Sequence, residues 1–422
     1  MTPRVGTAVG GLRGVRTAAG ALVDVRCADG LVTSVRPAGP APLAADELDL
    51  AGWTVLASAV EPHAHLDKAL SWSASHPPHG DLLSAIDSWR RYAGQLASAD
   101  ILRRARQALE GYLAAGFTAV RSHVDILGDN ADPLCGVRAL LELREELRGV
   151  LDLQVCVLSS FLTETARIDE ALRLGVDVLG GCPHLAEDPV AEVTRLLDLA
   201  EHRGVPVDLH TDEQLNPRML SIVELARQVR ARGLRQRVTA SHCVSLGSLP
   251  DSRLVEVIDE VRAAGLGIVT LPITNLYLQG WQSARPVPRG IAPVRELLAA
   301  GVTVAAGADN LRDPFNPMGR ADPFETTSLL VTAAHLDEKQ ALRAVTDAGR
   351  ELLGLPPAGV TPGAAADLVA VEAESLTDVL AGSGGSRVVL RAGRVVASTS
   401  VVRDTALRTP LDPSPLPTGR SA

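Results

Sequence analysis

Six residues of types that do chemistry each stand at the end of a short apolar run that reads as a β-strand. They are His63 and His65 in Glu61-Pro62-His63-Ala64-His65, His210 and Glu213 in Leu209-His210-Thr211-Asp212-Glu213, His242 in Ala240-Ser241-His242-Cys243, and Asp309 in Ala306-Gly307-Ala308-Asp309-Asn310. Two histidines two apart on an extended segment point to the same side, so His63 and His65 can reach one metal ion. With His210 and Asp309 they make three imidazoles and a carboxylate, a donor set that suits zinc or ferrous iron with one position left for water. Glu213, three residues beyond a ligand, is placed to take a proton from the attacking water and pass it to a ring nitrogen or leaving amine. Its plainer reading is a carboxylate at a helix N-terminus. His242 would hydrogen-bond the attacking water or the developing oxyanion; a second metal ligand or a core histidine are its rival roles. His123 ends another apolar run and would line the pocket or stand behind it. The chain has only two lysines, Lys68 and Lys339, and neither follows a fourth strand run, where a carboxylated lysine would bridge two metals. A single divalent metal is the expectation, with a carboxylate-bridged pair the alternative.

The elements that must carry these residues alternate in type. Strand candidates are Trp53–Val60, Phe117–Val124, Leu151–Leu158, Val176–Gly180, Val205–Leu209, Arg237–Ser241, Leu266–Leu271 and Val302–Ala306. Between them lie stretches with apolar spacing of three and four, such as Ile101–Leu113, Gly136–Leu147, Ala191–Glu201, Ser221–Arg232, Asp251–Ala264 and Val294–Ala300. Eight strand-then-helix repeats predict an α/β fold, a parallel (β/α)8 TIM barrel, with chemistry at the C-terminal ends of the strands. The flanks read as short alternating strands broken by Gly and Asp. They predict a small β-sandwich built from both chain ends: residues 1–51 with 359–402, around a barrel of 52–358. Residues 403–422, rich in Pro, Ser and Thr, read as a disordered tail.

Composition narrows the function classes. A net charge of −9 and the lack of any basic run argue against nucleic acid as a partner. No apolar run approaches a membrane span and no signal peptide is visible, so no membrane partner is expected. Five widely spaced cysteines without a CxxC pair fit reduced thiols, which makes the cytoplasm the expected compartment. The stretch 279–291, rich in Gly, Pro and Arg, reads as a loop over the site; Trp281 within it would stack on a planar substrate or anchor the loop.

Together these residues resemble the amidohydrolase superfamily, and within it the bacterial cytosine deaminase group. Besides the HxH pair, the matching stretches are Val120-Arg121-Ser122-His123-Val124-Asp125, Glu170-Ala171-Leu172-Arg173-Leu174-Gly175, His210 to Glu213, Thr239-Ala240-Ser241-His242, Leu278-Gln279-Gly280 and Asp313-Pro314-Phe315-Asn316-Pro317-Met318-Gly319. A return into the terminal β-unit is matched by Pro362-Gly363-Ala364-Ala365-Ala366-Asp367-Leu368-Val369. The resemblance implies a mononuclear zinc or Fe(II) site of His63, His65, His210 and Asp309, with Glu213 as proton shuttle and His242 assisting. It also implies Leu278 and Gln279 near the pocket, and a homo-oligomer. Where cytosine deaminases carry Phe-Pro-Gln after the third strand, this chain reads Leu158-Ser159-Ser160; where they carry a second aspartate after the metal ligand, it has Asn310. Ser160 and Asn310 would therefore face a different ring edge, and cytosine is not the expected substrate. The expected activity is metal-dependent hydrolysis of a C–N bond in a small cyclic compound, most simply deamination of an amino-substituted N-heterocycle. Opening of a cyclic amide or lactam, or removal of an alkylamine, is the alternative; a catalytically silent small-molecule-binding homologue is the alternative of another class.

Overall fold

The computed structural model describes residues 3–404 apart from 219, 383 and 384. The eight barrel strands, numbered here in chain order, are β1 (Ala59–Ala64), β2 (Phe117–Asp125), β3 (Asp152–Ser159), β4 (Val178–Gly181), β5 (Val207–Thr211), β6 (Val238–His242), β7 (Gly267–Thr270) and β8 (Val304–Ala306). Each pairs in parallel with its neighbour in sequence. The ends approach closure through a parallel bridge between Ala64 and Asp309, two residues of the site region. Val, Leu, Ile and Ala fill the core between the strands and the surrounding helices, as a sheet buried on both faces requires. The helices Ser221–Arg232 and Asp251–Ala264 keep the bounds expected from their apolar spacing. Among the described residues no helix is long and apolar enough to cross a membrane.

Both chain ends build a second sheet. Its hydrogen-bonded order is Arg394–Thr399, Arg387–Arg391, Leu368–Val371, Thr54–Ala57, Gly11–Thr17, Leu22–Ala28 and Leu31–Pro37, with Glu47–Asp49 alongside Gly11–Thr17. The path is continuous and curls, so Leu12, Val25, Val32, Leu368, Leu390 and Val395 share one core. The opposite face, with Leu56, Val369 and Val389, packs on Phe324 and on Leu376, Val379 and Leu380.

One boundary differs from the sequence reading. The apolar run 53–60 is two strands: Thr54–Ala57 belongs to the terminal sheet, and β1 starts at Ala59. The switch is at Ser58, whose N–H donates to Asp367 O, while Ala59 N–H donates to Gly116 O at the start of β2. A continuous apolar run cannot show which sheet satisfies its backbone. The terminal sheet therefore takes in residues assigned above to the barrel. The proposed tail falls almost wholly on residues 405–422, outside the described residues.

Candidate metal centre and cavity

Strand ends bring the six residues together. His63 lies in β1 and His65 directly follows it, His210 lies near the end of β5 with Glu213 two residues past that strand, His242 ends β6, and Asp309 follows β8. His63 Nε2 is 3.2 Å from His210 Nε2 and 3.8 Å from Asp309 Oδ1. His65 Nε2 is 3.3 Å from His210 Nε2 and 3.2 Å from Asp309 Oδ1. Donors arranged tetrahedrally around a zinc ion, with bonds of ~2.0–2.2 Å, stand ~3.3–3.6 Å apart, so the spacing fits one metal. Both Asp309 carboxylate oxygens are buried without a hydrogen bond from any of the described residues. Burial, then the neighbouring charges, hold the three ligand histidines well below their ordinary pKa, leaving neutral imidazoles with lone pairs to offer. Burial and the carboxylates of Glu213, Asp313 and Glu61 push Asp309 well above its ordinary range. A dication would relieve that crowding.

Backbone geometry aims these groups. Asp212, His242 and Asp309 sit at φ of 53°, 71° and 65°, left-handed conformations that cost ~1–3 kcal/mol each in a non-glycine residue. Local contacts hold them. Asp212 accepts the Ser221 and Ile222 N–H groups at the head of the helix Ser221–Arg232, which fixes the turn carrying Glu213. Glu61 accepts the His63 and Ala308 N–H groups at 3.2 and 2.9 Å and so ties β1 to the loop after β8. A Cβ on Gly307 would stand 2.0 Å from Glu61 Oε1 and would push that carboxylate out of these bonds. Beyond Asp309, Asn310 Nδ2 donates to Asp313, whose other oxygen accepts from Phe315 N–H; this is the role of the Asp313-to-Gly319 stretch.

Glu213 and His242 form the proton-handling side. Glu213 Oε1 is 3.3 Å from His242 Nδ1, and both residues are buried. Burial pushes the Glu213 carboxyl up to about 8, Lys68 offsetting only part. Asn275 Nδ2 is 3.1 Å from the same His242 nitrogen, and His242 Nε2 has no partner among the described residues.

Above the centre opens a cavity of about 570 Å³, with His65, His210, Glu213, His242 and Asp309 at its base. Ser160 and Asn310 line it, as expected from their positions. Four expected substrate contacts do not. His123 lies behind the ligands, stacked on His63 with ring centroids 3.9 Å apart. Leu278 is buried beside the site, and Gln279 donates from Nε2 to Glu213 O, which makes it a support for the shuttle. Trp281 is 49% exposed and donates to Tyr277 O, anchoring its loop away from the cavity.

The cavity wall comes from elements not expected there. The helix Leu82–Ala93, inserted between β1 and β2, contributes Ile86, Trp89 and Arg90; Phe161 and Phe315 add aromatic surface. Trp89 Nε1 donates to Asp125 at 2.6 Å, and Lys68, 2.9 Å from Asp125, stands 3.2 Å from His65 Nδ1. A signal existed: Asp81 as N-cap followed by apolar residues at 82, 85, 86, 89 and 93 marks an amphipathic helix. Glu61 and Asp125 are each two residues from a histidine on an inward-facing strand, and that spacing too was readable.

Comparison with known proteins agrees with this geometry. The amidohydrolase family profile matches residues 93–397. A pterin deaminase of Rhizobium rhizogenes is 33% identical over 370 residues, 85% of this chain and 84% of the relative. The crystal structure of a Klebsiella pneumoniae 5-methylcytosine deaminase liganded with 5-fluorocytosine superposes with a TM-score of 0.86 at 27% identity, covering 95% of this chain and all of that one. An N-isopropylammelide isopropylaminohydrolase of Burkholderia multivorans gives 0.80 at 29% identity, over 94% and 100% of the two chains. This chain belongs to the amidohydrolase family, hydrolases of C–N bonds other than peptide bonds.

Proposed function

We propose that this amidohydrolase deaminates an amino-substituted N-heterocycle larger than a single ring, with one zinc or ferrous ion held by His63, His65, His210 and Asp309. The observation that carries the reading is the placement of Glu213 and His242 beside these four donors at the base of the cavity. The metal, when bound, supplies Lewis acidity that makes a water nucleophilic at neutral pH. Glu213 would carry one proton of that water to the ring nitrogen, and then the second, from the hydroxyl of the adduct, to the amine, which leaves as ammonia. His242 Nε2, free of partners among the described residues, hydrogen-bonds the oxygen as it adds to the ring carbon. Water adds across the C=N bond and ammonia leaves, so a carbonyl replaces the amine.

Ring size follows from the wall. A cavity of about 570 Å³ falls in the ~300–1,000 Å³ range of drug-sized ligands, more than one pyrimidine fills. Trp89, Phe161 and Phe315 offer flat apolar surface to a planar ring system. A two-ring substrate such as a pterin fits this description and matches the activity named for the Rhizobium relative. The isopropylammelide relative favours a second reading, in which an alkylamine leaves in place of ammonia. Metal-reconstituted protein should be offered aminopyrimidines, aminotriazines, aminopurines, pterins and N-alkylaminotriazines, with ammonia and free alkylamine both measured. Ammonia from a two-ring member supports the proposal. Alkylamine alone supports the second reading, and activity confined to one-ring substrates contradicts the size argument.

A further inference from the structure

One layer below the ligand histidines, toward the barrel floor, lies a polar chain that none of the roles above uses. Asp208 precedes His210 by two residues on β5 and so also faces the barrel interior. Its Oδ2 accepts from Arg121 Nη1 at 2.7 Å, which holds it as a carboxylate. Its Oδ1 accepts the Ser241 hydroxyl at 2.7 Å. Ser241 Oγ in turn stands 3.0 Å from His63 Nδ1. Asp208, Ser241 and His63 are fully buried, so water does not compete for these bonds.

The hydrogen count fixes the direction of the chain. A serine hydroxyl has one proton and a carboxylate only accepts. The Ser241 proton is committed to Asp208, and the Ser241 oxygen must accept from His63 Nδ1–H. A neutral imidazole protonated at Nδ1 carries its lone pair at Nε2, the atom that faces His210 and Asp309. The other ligand histidines are held differently: His65 Nδ1 faces the Lys68 amine, which pairs with Asp125, and His210 Nδ1 has no partner among the described residues.

We propose that Asp208 and Ser241 are positioning residues that set the tautomer of His63 and so present its Nε2 to the metal. This rests on the metal site of the proposed function. Outer partners of metal-bound histidines orient the ring and raise its basicity, and their loss typically weakens metal binding ~10–100-fold.

The test uses metal-stripped protein and zinc, with affinity read by competition against a chromophoric chelator. Ser241→Ala removes one hydroxyl and leaves the Arg121–Asp208 pair intact. Ser58→Ala, which removes a buried hydroxyl bound to Thr118 at the barrel floor, is the control. Ser241→Ala should bind zinc ~10–100-fold more weakly while the control keeps wild-type affinity, both compared at a temperature where the metal-free variants are folded. Wild-type affinity in Ser241→Ala, or an equal loss in the control, overturns the proposal. If Ser241→Ala does not fold, nitrogen NMR of histidine-labelled wild-type protein decides. His63 protonated at Nδ1 supports the proposal, and His63 protonated at Nε2 overturns it. Wild-type protein that binds no zinc would defeat the metal-site reading instead, and the tautomer measurement would still judge this one.

Discussion

Glu213→Gln keeps the shape of the shuttle and removes its ability to carry a proton. The variant is expected to keep its metal content and lose ~10²–10⁴-fold in kcat, the usual contribution of a positioned acid–base group, measured as ammonia release at saturating substrate. Gly319→Ala probes the support of Asn310 and, through it, Asp309. Its Cβ would stand 2.0 Å from Asn310 O, a backbone atom that cannot swing aside. The substitution should cost ~1–3 kcal/mol in stability and weaken metal binding, read by denaturant unfolding and chelator competition. At this scale the residues with chemistry of their own were legible, because few side chains can ligate a metal and all stood at strand ends. Glu61, Asp208 and Ser241 were not singled out. What they do depends on contacts across the barrel, from β1 to the loop after β8 and from β5 through β6 to β1.

The inserted helix Leu82–Ala93 sets the size of the substrate in this account. Ile86 lines the cavity from it, half-buried. Ile86→Trp is expected to raise KM for two-ring substrates by an order of magnitude or more while one-ring amines are less affected; a parallel rise for both would show that the helix does not gauge ring size. The barrel itself was legible because eight β/α repeats leave a regular pattern. Two things were hidden. The split of 53–60 between two sheets needs the hydrogen bonds of Ser58 and Ala59 to be seen. The choice between the two roles of Trp281 was hidden too, because an aromatic in a Gly/Pro loop reads the same whether it meets substrate or, as here, anchors its loop at Tyr277.

Across the whole molecule, buried and half-buried ion pairs join the terminal sheet to the barrel. Asp367 accepts from Arg350 Nη2 at 2.9 Å and from Arg391, which also reaches Asp152 at the start of β3. Asp367→Asn strips Arg350, a fully buried guanidinium, of its counter-charge and should cost about 3–5 kcal/mol, seen as a lower midpoint in urea. The site leaves its own mark on stability. Burial pushes Glu61 and Glu213 up to about 8 from 4.5, so folding favours their protonated forms, and that contribution is lost as pH rises toward 8. The buried histidines, held below 6.5, contribute in the opposite direction only up to that value. Between pH 6.5 and 8 the metal-free protein should therefore lose up to ~1.4 kcal/mol per carboxyl per pH unit. Its melting temperature should fall across that window and fall less with zinc bound; a flat or rising profile would count against the burial of these two acids.

The most direct test of the central claim is a metal add-back titration, following ammonia release from a pterin by chelator-stripped protein as zinc or ferrous ion is restored. Stripped protein should release no ammonia, recovery should saturate at one equivalent of metal per chain, and Glu213→Gln should recover at most about a hundredth of the wild-type rate. Release by the stripped protein, or equal release by Glu213→Gln, would contradict it.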